Sequence, residues 1–199
     1  MLTIAWDVDD VLNNLMAEWL RDKWLPEHPG CGVTFEQIIE NPPERILKST
    51  REEYLESLDA YRLSGKYMLM PPNSETLNWF QASGDKARHI ALTAVPLKAA
   101  HVSAHWVMKN FGKWIRGFHF VPSFRTGKVP SYDENKASYL KWLDKVDVLV
   151  DDNPENIQQA QNMGIRGILI SRPWNKSSLT LKEALKELDA LILSKENHD

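Results

Sequence analysis

The chain has 199 residues, of which 43% are hydrophobic and 26% are charged, and its formal net charge is −3. This composition is typical of a globular protein with one good-sized domain, or a core domain with a modest insertion. Because there is no basic excess, we expect neither duplex nucleic acid nor a membrane surface as a partner. The single cysteine, Cys31, excludes an intrachain disulfide. Residues 1–6 resemble neither a signal peptide nor a membrane span, so we expect a cytoplasmic protein.

Five short apolar segments predict β-strands that alternate with helices. The strands are expected at residues 2–6, 89–93, 118–121, 147–150 and 167–170. The helices are expected at residues 11–24, 74–81, 97–110, 134–143, 154–163 and 179–194. This alternation predicts an α/β fold, in which a parallel, doubly wound sheet is flanked by helices.

The segment between the first two predicted strands is too long for a simple crossover connection. It carries helical patterns at residues 34–40 and 50–58. We therefore predict a small helical cap at residues 13–73, called the cap segment below, and a core domain at residues 1–12 and 74–199. Open parallel sheets bind ligands outside the carboxyl ends of their strands, so the cap segment is expected to cover that edge.

Two of the predicted strands end in paired acids. Asp7 and Asp9 follow the first strand, and Asp151 and Asp152 follow the fourth. Residues two apart on an extended chain point the same way, with Cα atoms roughly 7 Å apart, so their charges repel unless a cation lies nearby. Carboxylate oxygens are ligands that Mg²⁺ prefers. The pattern predicts two halves of one magnesium site; for either pair alone the alternative is structural, as when Asp10 caps the next helix.

These motifs resemble the four-motif signature of the haloacid-dehalogenase-like (HAD) hydrolases. The matching residues, in order, are Asp7-Val8-Asp9, Leu92-Thr93, a lysine and Asp151-Asp152. The resemblance covers nearly the whole chain and implies a HAD-like Rossmannoid sheet with the helical cap inserted after the first strand. Within this superfamily the chain is similar to the 5'(3')-deoxyribonucleotidase-like group, in which a helical cap also separates the first two motifs.

The resemblance implies a Mg²⁺-dependent phosphomonoesterase that works through an aspartyl-phosphate intermediate. Asp7 would be the nucleophile, Asp9 the general acid and base, and Thr93 a hydrogen-bond donor to the phosphoryl oxygens. The metal ligands would be Asp7, the backbone carbonyl of Asp9, and Asp152, with Asp151 bracing the site. An acid two residues after the nucleophile favours phosphate-ester hydrolysis over dehalogenation, because a halide leaves without a proton.

Two lysines are candidates for the motif lysine, which would neutralise the nucleophile and the developing charge. Lys136 starts the predicted helix before the fourth strand, whereas Lys128 follows the third strand more directly. We favour Lys136, and Lys128 stays open. Contacts to the substrate phosphate are expected from Thr93, Ala94, Arg125 and Lys128; the family's Thr-Ser pair reads Thr93-Ala94 here.

The expected substrate is a small phosphorylated metabolite, with nucleoside monophosphates first. A sugar phosphate or other small phosphate is the alternative, and a catalytically idle HAD-like binding domain is the alternative class. The aromatic residue that stacks on the base in the nucleotidase group is replaced by Leu15. Trp19, Phe35, Tyr54 or Tyr61 would therefore have to supply a stacking face.

Overall fold

The computed structural model describes residues 1–123, 125 and 130–196. Five strands form one sheet in the order β3-β2-β1-β4-β5, and every neighbouring pair is parallel. The strands are β1 (Thr3–Trp6), β2 (Arg88–Val95), β3 (Ile115–Pro122), β4 (Val148–Asp151) and β5 (Arg166–Leu169). The predicted α/β fold with a parallel sheet is confirmed.

The helices of the described residues fall into two groups. Those between β1 and β2 are α1 (Leu15–Trp19), a π-helical turn (Leu20–Trp24), α2 (Leu25–Glu27), a 3₁₀ turn (Phe35–Gln37), α3 (Glu44–Leu47), α4 (Arg51–Arg62), α5 (Gly65–Leu69), α6 (Ser74–Ser83) and a second 3₁₀ turn (Gly84–Lys86). Those after β2 are α7 (Leu97–Phe111), α8 (Lys136–Leu143), α9 (Pro154–Asn162) and α10 (Leu181–Glu196). In the described cap segment every regular element is helical, as predicted.

Alternation along the strands gives the sheet two apolar faces. In β1, Ile4 and Trp6 point to one face and Ala5 to the other. The first face packs against buried residues of α6, α7 and α10, and the second against α8 and α9. Helices thus cover both faces, which explains why the central strands are almost continuously hydrophobic.

The chain turns sharply after β1, so the first helix begins at Leu15 rather than at residue 11. Asp10 has a φ of 61°, in the left-handed region that aspartate tolerates better than most residues. The side-chain oxygen of Asn13 accepts the backbone N–H groups of Asp10 and Leu15. The Asp10 carboxylate accepts the N–H of Met16, so Asp10 does cap a helix, but one that starts four residues later than expected.

The cap segment and the sheet share one apolar core. Trp19, Trp24 and Tyr54 of the cap segment are buried in the same cluster as Ile4 and Trp6 of β1. The helix expected at residues 34–40 shrinks to a 3₁₀ turn, closed by a reciprocal capping box. None of the described helices is both long and apolar enough to cross a membrane.

Candidate active site

The carboxyl ends of two neighbouring central strands, β1 and β4, bring acidic residues together. Asp7 follows β1 directly and its N–H donates to the carbonyl of Val150 in β4, over 2.9 Å. Asp151 is the last residue of β4, and Asp152 comes next. Each of Asp7, Asp151 and Asp152 offers a carboxylate oxygen, and these oxygens lie within 4.8 Å of one another. Asp7 of the first acid pair and both acids of the second therefore lie together at one edge of the sheet, where the strand order reverses, whereas the Asp9 carboxylate contacts Arg62 and Tyr67 instead.

Lys136 lies against two of these carboxylates. It is the first residue of α8, which Asn135 caps by accepting the N–H of Ser138. Its Nζ is 2.8 Å from Asp7 Oδ1 and donates to Asp151 Oδ2 over 2.7 Å. The side chain is only 2% exposed, so this ammonium group is a buried counter-ion to the carboxylates. Lys128, the other candidate, lies outside the described residues.

The three carboxylates differ in how many donors surround them. Asp151 is bound on both oxygens, by Lys136, by the N–H of Asn153 and by the side-chain amide of Asn156. Asp7 Oδ1 accepts the N–H of Val8, and Asp152 Oδ2 accepts the indole N–H of Trp174 over 2.7 Å. Their second oxygens, Asp7 Oδ2 and Asp152 Oδ1, have no hydrogen bond from a described residue. Asp7 and Asp152 thus keep one oxygen each for a hard divalent cation, which fits Mg²⁺.

Without a metal ion, burial destabilises the ionised form of Asp7 and of Asp152. It raises the pKa of Asp7 well above its usual range, against the lowering effect of Lys136. Burial, followed by the charge of Asp151, raises the pKa of Asp152 to about 7. Burial alone would lower the pKa of Lys136, but the charges of Asp151 and Asp7 raise it above its usual range. The group contains three carboxylates and only one ammonium, and a bound divalent cation would balance the remaining negative charge.

A cavity of about 270 Å³ opens above these groups. Its floor comes from the strand ends and includes Asp7, Thr93, Ala94 and Asp152. Its walls come from the cap segment and include Asn41, Arg51, Tyr54, Leu55, Leu58 and Arg62. The cap segment therefore covers the carboxyl edge of the sheet, as the sequence predicts.

The expected substrate contacts are only partly assembled. Thr93 is buried in β2, and Ala94 is exposed beside it; both line the cavity. Arg125 also lines the cavity, but its guanidinium donates to both oxygens of Asp59 in α4, each over 2.9 Å. Arg125 thus binds a carboxylate of the cap segment in this conformation. Lys128, the remaining expected contact, lies outside the described residues.

Only one of the four candidate aromatic residues reaches the cavity. Tyr54 lines it, next to Leu15. Trp19 and Tyr61 are buried, and Phe35 packs edge-on against Trp174 with ring centroids 5.8 Å apart. Trp19 packs in turn against Tyr54, over 5.4 Å. Tyr54 is only 3% exposed and belongs to the same apolar core as Trp19 and Tyr61, so little of its ring is available for stacking on a base.

Several site residues were missed by the sequence analysis. Arg62 and Tyr67 contact the Asp9 carboxylate from the cap segment. Trp174 binds Asp152, and the side-chain amide of Asn175 donates to the Asp152 carbonyl over 2.8 Å. Trp174 and Asn175 lie 22 and 23 positions after Asp152, so no local pattern links them to this carboxylate.

Neither a protein-family model nor a curated protein sequence matches this chain. Solved structures do match it over almost its whole length. A haloacid dehalogenase-like hydrolase from Streptococcus pneumoniae has a TM-score of 0.62 and 10% identity, covering 96% of this chain and 98% of that one. A HAD hydrolase from Bacillus subtilis, solved bound to magnesium, has a TM-score of 0.54 and 14% identity, covering 96% and 98%. A HAD family hydrolase from Deinococcus radiodurans, solved with phosphate and sodium, has a TM-score of 0.56 and 12% identity, covering 96% and 95%.

These neighbours share an architecture with this chain and very little sequence. At such identities a structural match reports the fold, and activity has to be argued from the site itself. The match extends over the sheet and the cap segment together, since it covers nearly all of both chains. The chain therefore has the fold of the HAD hydrolases.

Proposed function

We propose that this protein is a Mg²⁺-dependent phosphomonoesterase that forms an aspartyl-phosphate on Asp7. The observation that carries the proposal is the buried group of Asp7, Lys136, Asp151 and Asp152 at the base of the cavity. A buried lysine between two carboxylates at the base of a cavity, together with the raised pKa of Asp7 and of Asp152, is typical of a catalytic site rather than of a structural ion pair. The HAD-type neighbours support the same reaction class.

The proposed chemistry assigns one task to each group. Asp7 attacks phosphorus while the ester P–O bond breaks, and Asp9 gives a proton to the leaving oxygen. Asp9 then takes a proton from water as the water oxygen bonds to phosphorus and the Asp7–phosphorus bond breaks. Lys136 and Thr93 stabilise the negative charge on the transferring group.

Mg²⁺ fits this site, because the available ligand atoms are carboxylate oxygens. Two of these oxygens, Asp7 Oδ2 and Asp152 Oδ1, accept no hydrogen bond from a described residue. Asp7 and Asp152 would hold the ion, with the backbone carbonyl of Asp9 as the third protein ligand that the family resemblance implies. When bound, Mg²⁺ would screen the repulsion between the nucleophile and the phosphate. Asp151 accepts a hydrogen bond from Lys136 and so keeps this lysine in place, while one oxygen each of Asp7 and Asp152 stays available to the ion.

The size of the cavity bears on the substrate. About 270 Å³ lies just below the range of roughly 300–1,000 Å³ that is usual for pockets holding drug-sized ligands. A cavity of this size fits a small phosphorylated metabolite. Nucleoside monophosphates are the first candidate, because Tyr54 offers one aromatic side chain at the cavity wall, and a sugar phosphate or another small-molecule phosphate is the alternative.

The reaction class is tested with p-nitrophenyl phosphate in the presence of Mg²⁺ and of EDTA. We expect turnover that needs Mg²⁺, and an acid-stable phosphoenzyme after brief reaction with radiolabelled substrate. Asp7→Asn keeps the shape of the side chain but removes the nucleophile, so it should abolish both signals. Asp85→Asn is the control, because Asp85 is 74% exposed and lies outside the cavity lining.

An Asp7→Asn variant that keeps half of the wild-type turnover would rule out covalent catalysis through Asp7. A wild-type protein that binds phosphate esters but turns over none of them would instead support the idle binding domain. A panel of sugar phosphates and nucleoside monophosphates, compared by kcat/KM, then separates the two substrate candidates.

A further inference from the structure

The Asp9 carboxylate is surrounded by side-chain donors. Oδ2 accepts from Nε and a terminal nitrogen of Arg62, over 3.2 and 2.9 Å. Oδ1 accepts from the Tyr67 hydroxyl over 3.1 Å and from the Asn13 amide over 3.0 Å. Two lone pairs on each oxygen are thus occupied, which fixes the plane of the carboxylate as well as its position.

Three of these four donors come from helices far along the chain. Arg62 is the last residue of α4, and Tyr67 lies in α5, so both belong to the cap segment. Asp9 itself belongs to the turn that follows the central strand. The orientation of this carboxylate therefore depends on how the cap segment sits on the sheet.

Arg62 and Tyr67 are themselves held in place by other residues. Arg62 lies 3.5 Å from Asp59, which also receives two hydrogen bonds from Arg125 and an ion pair from Lys98 at 3.3 Å. These cations keep the pKa of Asp59 below its usual value although burial alone would raise it. The Tyr67 hydroxyl is within 3.4 Å of Ser103 Oγ in α7. Both donors are therefore anchored to the core domain.

We infer that Arg62 and Tyr67 are positioning residues, which orient Asp9 toward the oxygen of the leaving group. The inference rests on the proposed function, because it gives Asp9 the role of acid and base. The cap segment then supplies part of the proton-transfer geometry as well as the wall of the cavity. The Tyr67 hydroxyl can turn its hydrogen toward Ser103 Oγ, which leaves Asp9 Oδ1 a lone pair for the proton that goes to the leaving oxygen.

The sharpest test is Tyr67→Phe, which removes one hydroxyl and keeps the buried ring. Proton transfer to the leaving oxygen matters for an alkyl phosphate such as glycerol 2-phosphate and little for p-nitrophenyl phosphate, whose leaving group is already a weak base. We expect kcat on the alkyl ester to fall about tenfold and kcat on p-nitrophenyl phosphate to fall less than about twofold, with KM unchanged. Tyr61→Phe is the matched control, because Tyr61 is equally buried and lies outside the cavity lining.

A second comparison separates positioning from packing. In an Asp9→Asn background, Tyr67→Phe should cause no further loss of kcat on the alkyl ester. The reason is that Tyr67 acts through the Asp9 carboxylate, which this variant lacks. Arg62→Lys, which keeps the charge but loses the forked contact, should show the same selectivity for the alkyl ester. Equal losses on both esters, or losses that add to that of Asp9→Asn, would overturn the positioning role. A wild-type protein without turnover of either ester would overturn the proposed function itself.

Discussion

Asp152→Asn tests whether the buried charge of Asp152 lowers the stability of the metal-free protein and is needed for its response to Mg²⁺. The change removes one of the buried charges but keeps a side-chain oxygen that can accept the indole N–H of Trp174, which Asp152 now receives over 2.7 Å. The remaining pair, Asp7 and Asp151, still has Lys136 between them. We therefore expect the metal-free variant to be more stable than the wild type, and to lose its response to Mg²⁺.

The magnitude follows from the pKa of Asp152. Burial and the neighbouring Asp151 raise that pKa from 3.8 to about 7 in the folded protein. As the pH rises from about 4 to about 7, the unfolded chain releases this proton first, so the free energy of unfolding falls, and the loss is complete above about pH 7. At about 1.4 kcal/mol for each pH unit, the rise in pKa corresponds to about 4 kcal/mol.

Urea unfolding, followed by the fluorescence of the eight tryptophans, measures this difference. In EDTA at about pH 8 we expect the variant to be more stable by several kcal/mol, with the gain fading toward about pH 4. Excess Mg²⁺ should stabilise the wild type and leave the variant unchanged, because only a protein that binds the ion gains from it. Asp85→Asn again serves as the exposed control. A variant less stable than the wild type at pH 8, or a gain that does not change with pH, would refute the reasoning.

Two further predictions concern other parts of the molecule. His89 accepts the indole N–H of Trp6 and donates to the Gly84 carbonyl, and burial lowers its pKa from 6.5 to about 4. The neutral form of His89 therefore stabilises the folded protein above about pH 6.5, and this stabilisation is lost as the pH falls toward 4. Over this range, urea unfolding should show that the free energy of unfolding of the wild type falls by about 3 kcal/mol relative to that of His89→Gln. Tyr54→Ala should raise KM for a nucleoside monophosphate about ten- to a hundredfold if a base stacks there, and should leave KM for p-nitrophenyl phosphate unchanged. An equal rise for both esters would show that Tyr54 only supports packing.

The elements that form the floor of the site were predictable because local patterns determine them. Apolar runs followed by acids mark the ends of β1 and β4, and the geometry of a parallel sheet brings such ends to one edge. The expectation of a lysine came from the resemblance to the HAD hydrolases, and the position of Lys136 at the start of a helix that leads back to β4 favoured this residue. The prediction of the acid pairs needed only the order of the elements and the periodicity of a strand.

The contacts above the floor could not be predicted in this way. Arg62 is 53 positions from Asp9, and Tyr67 is 58 positions away, and no local pattern records that α4 and α5 turn toward this carboxylate. The delayed start of α1 was missed because Asp10 adopts a left-handed conformation that a hydrophobic pattern does not reveal. Tertiary packing decides the first feature, whereas local hydrogen bonds of Asn13 and Asp10 accompany the second.

The central place of β1 has a consequence for how the site comes into being. β1 leaves the ribosome well before its neighbours in the sheet, because Ile4 pairs with His89 on one side and with Val148 on the other. Pairings between such distant positions form slowly, because a long loop must close before either contact stabilises it. During synthesis Asp7 therefore lacks Lys136 and the acids at the end of β4 until the chain has been made through residue 152. A nascent chain that ends before Lys136 would contain the proposed nucleophile without its counter-ion and without the acids beside it.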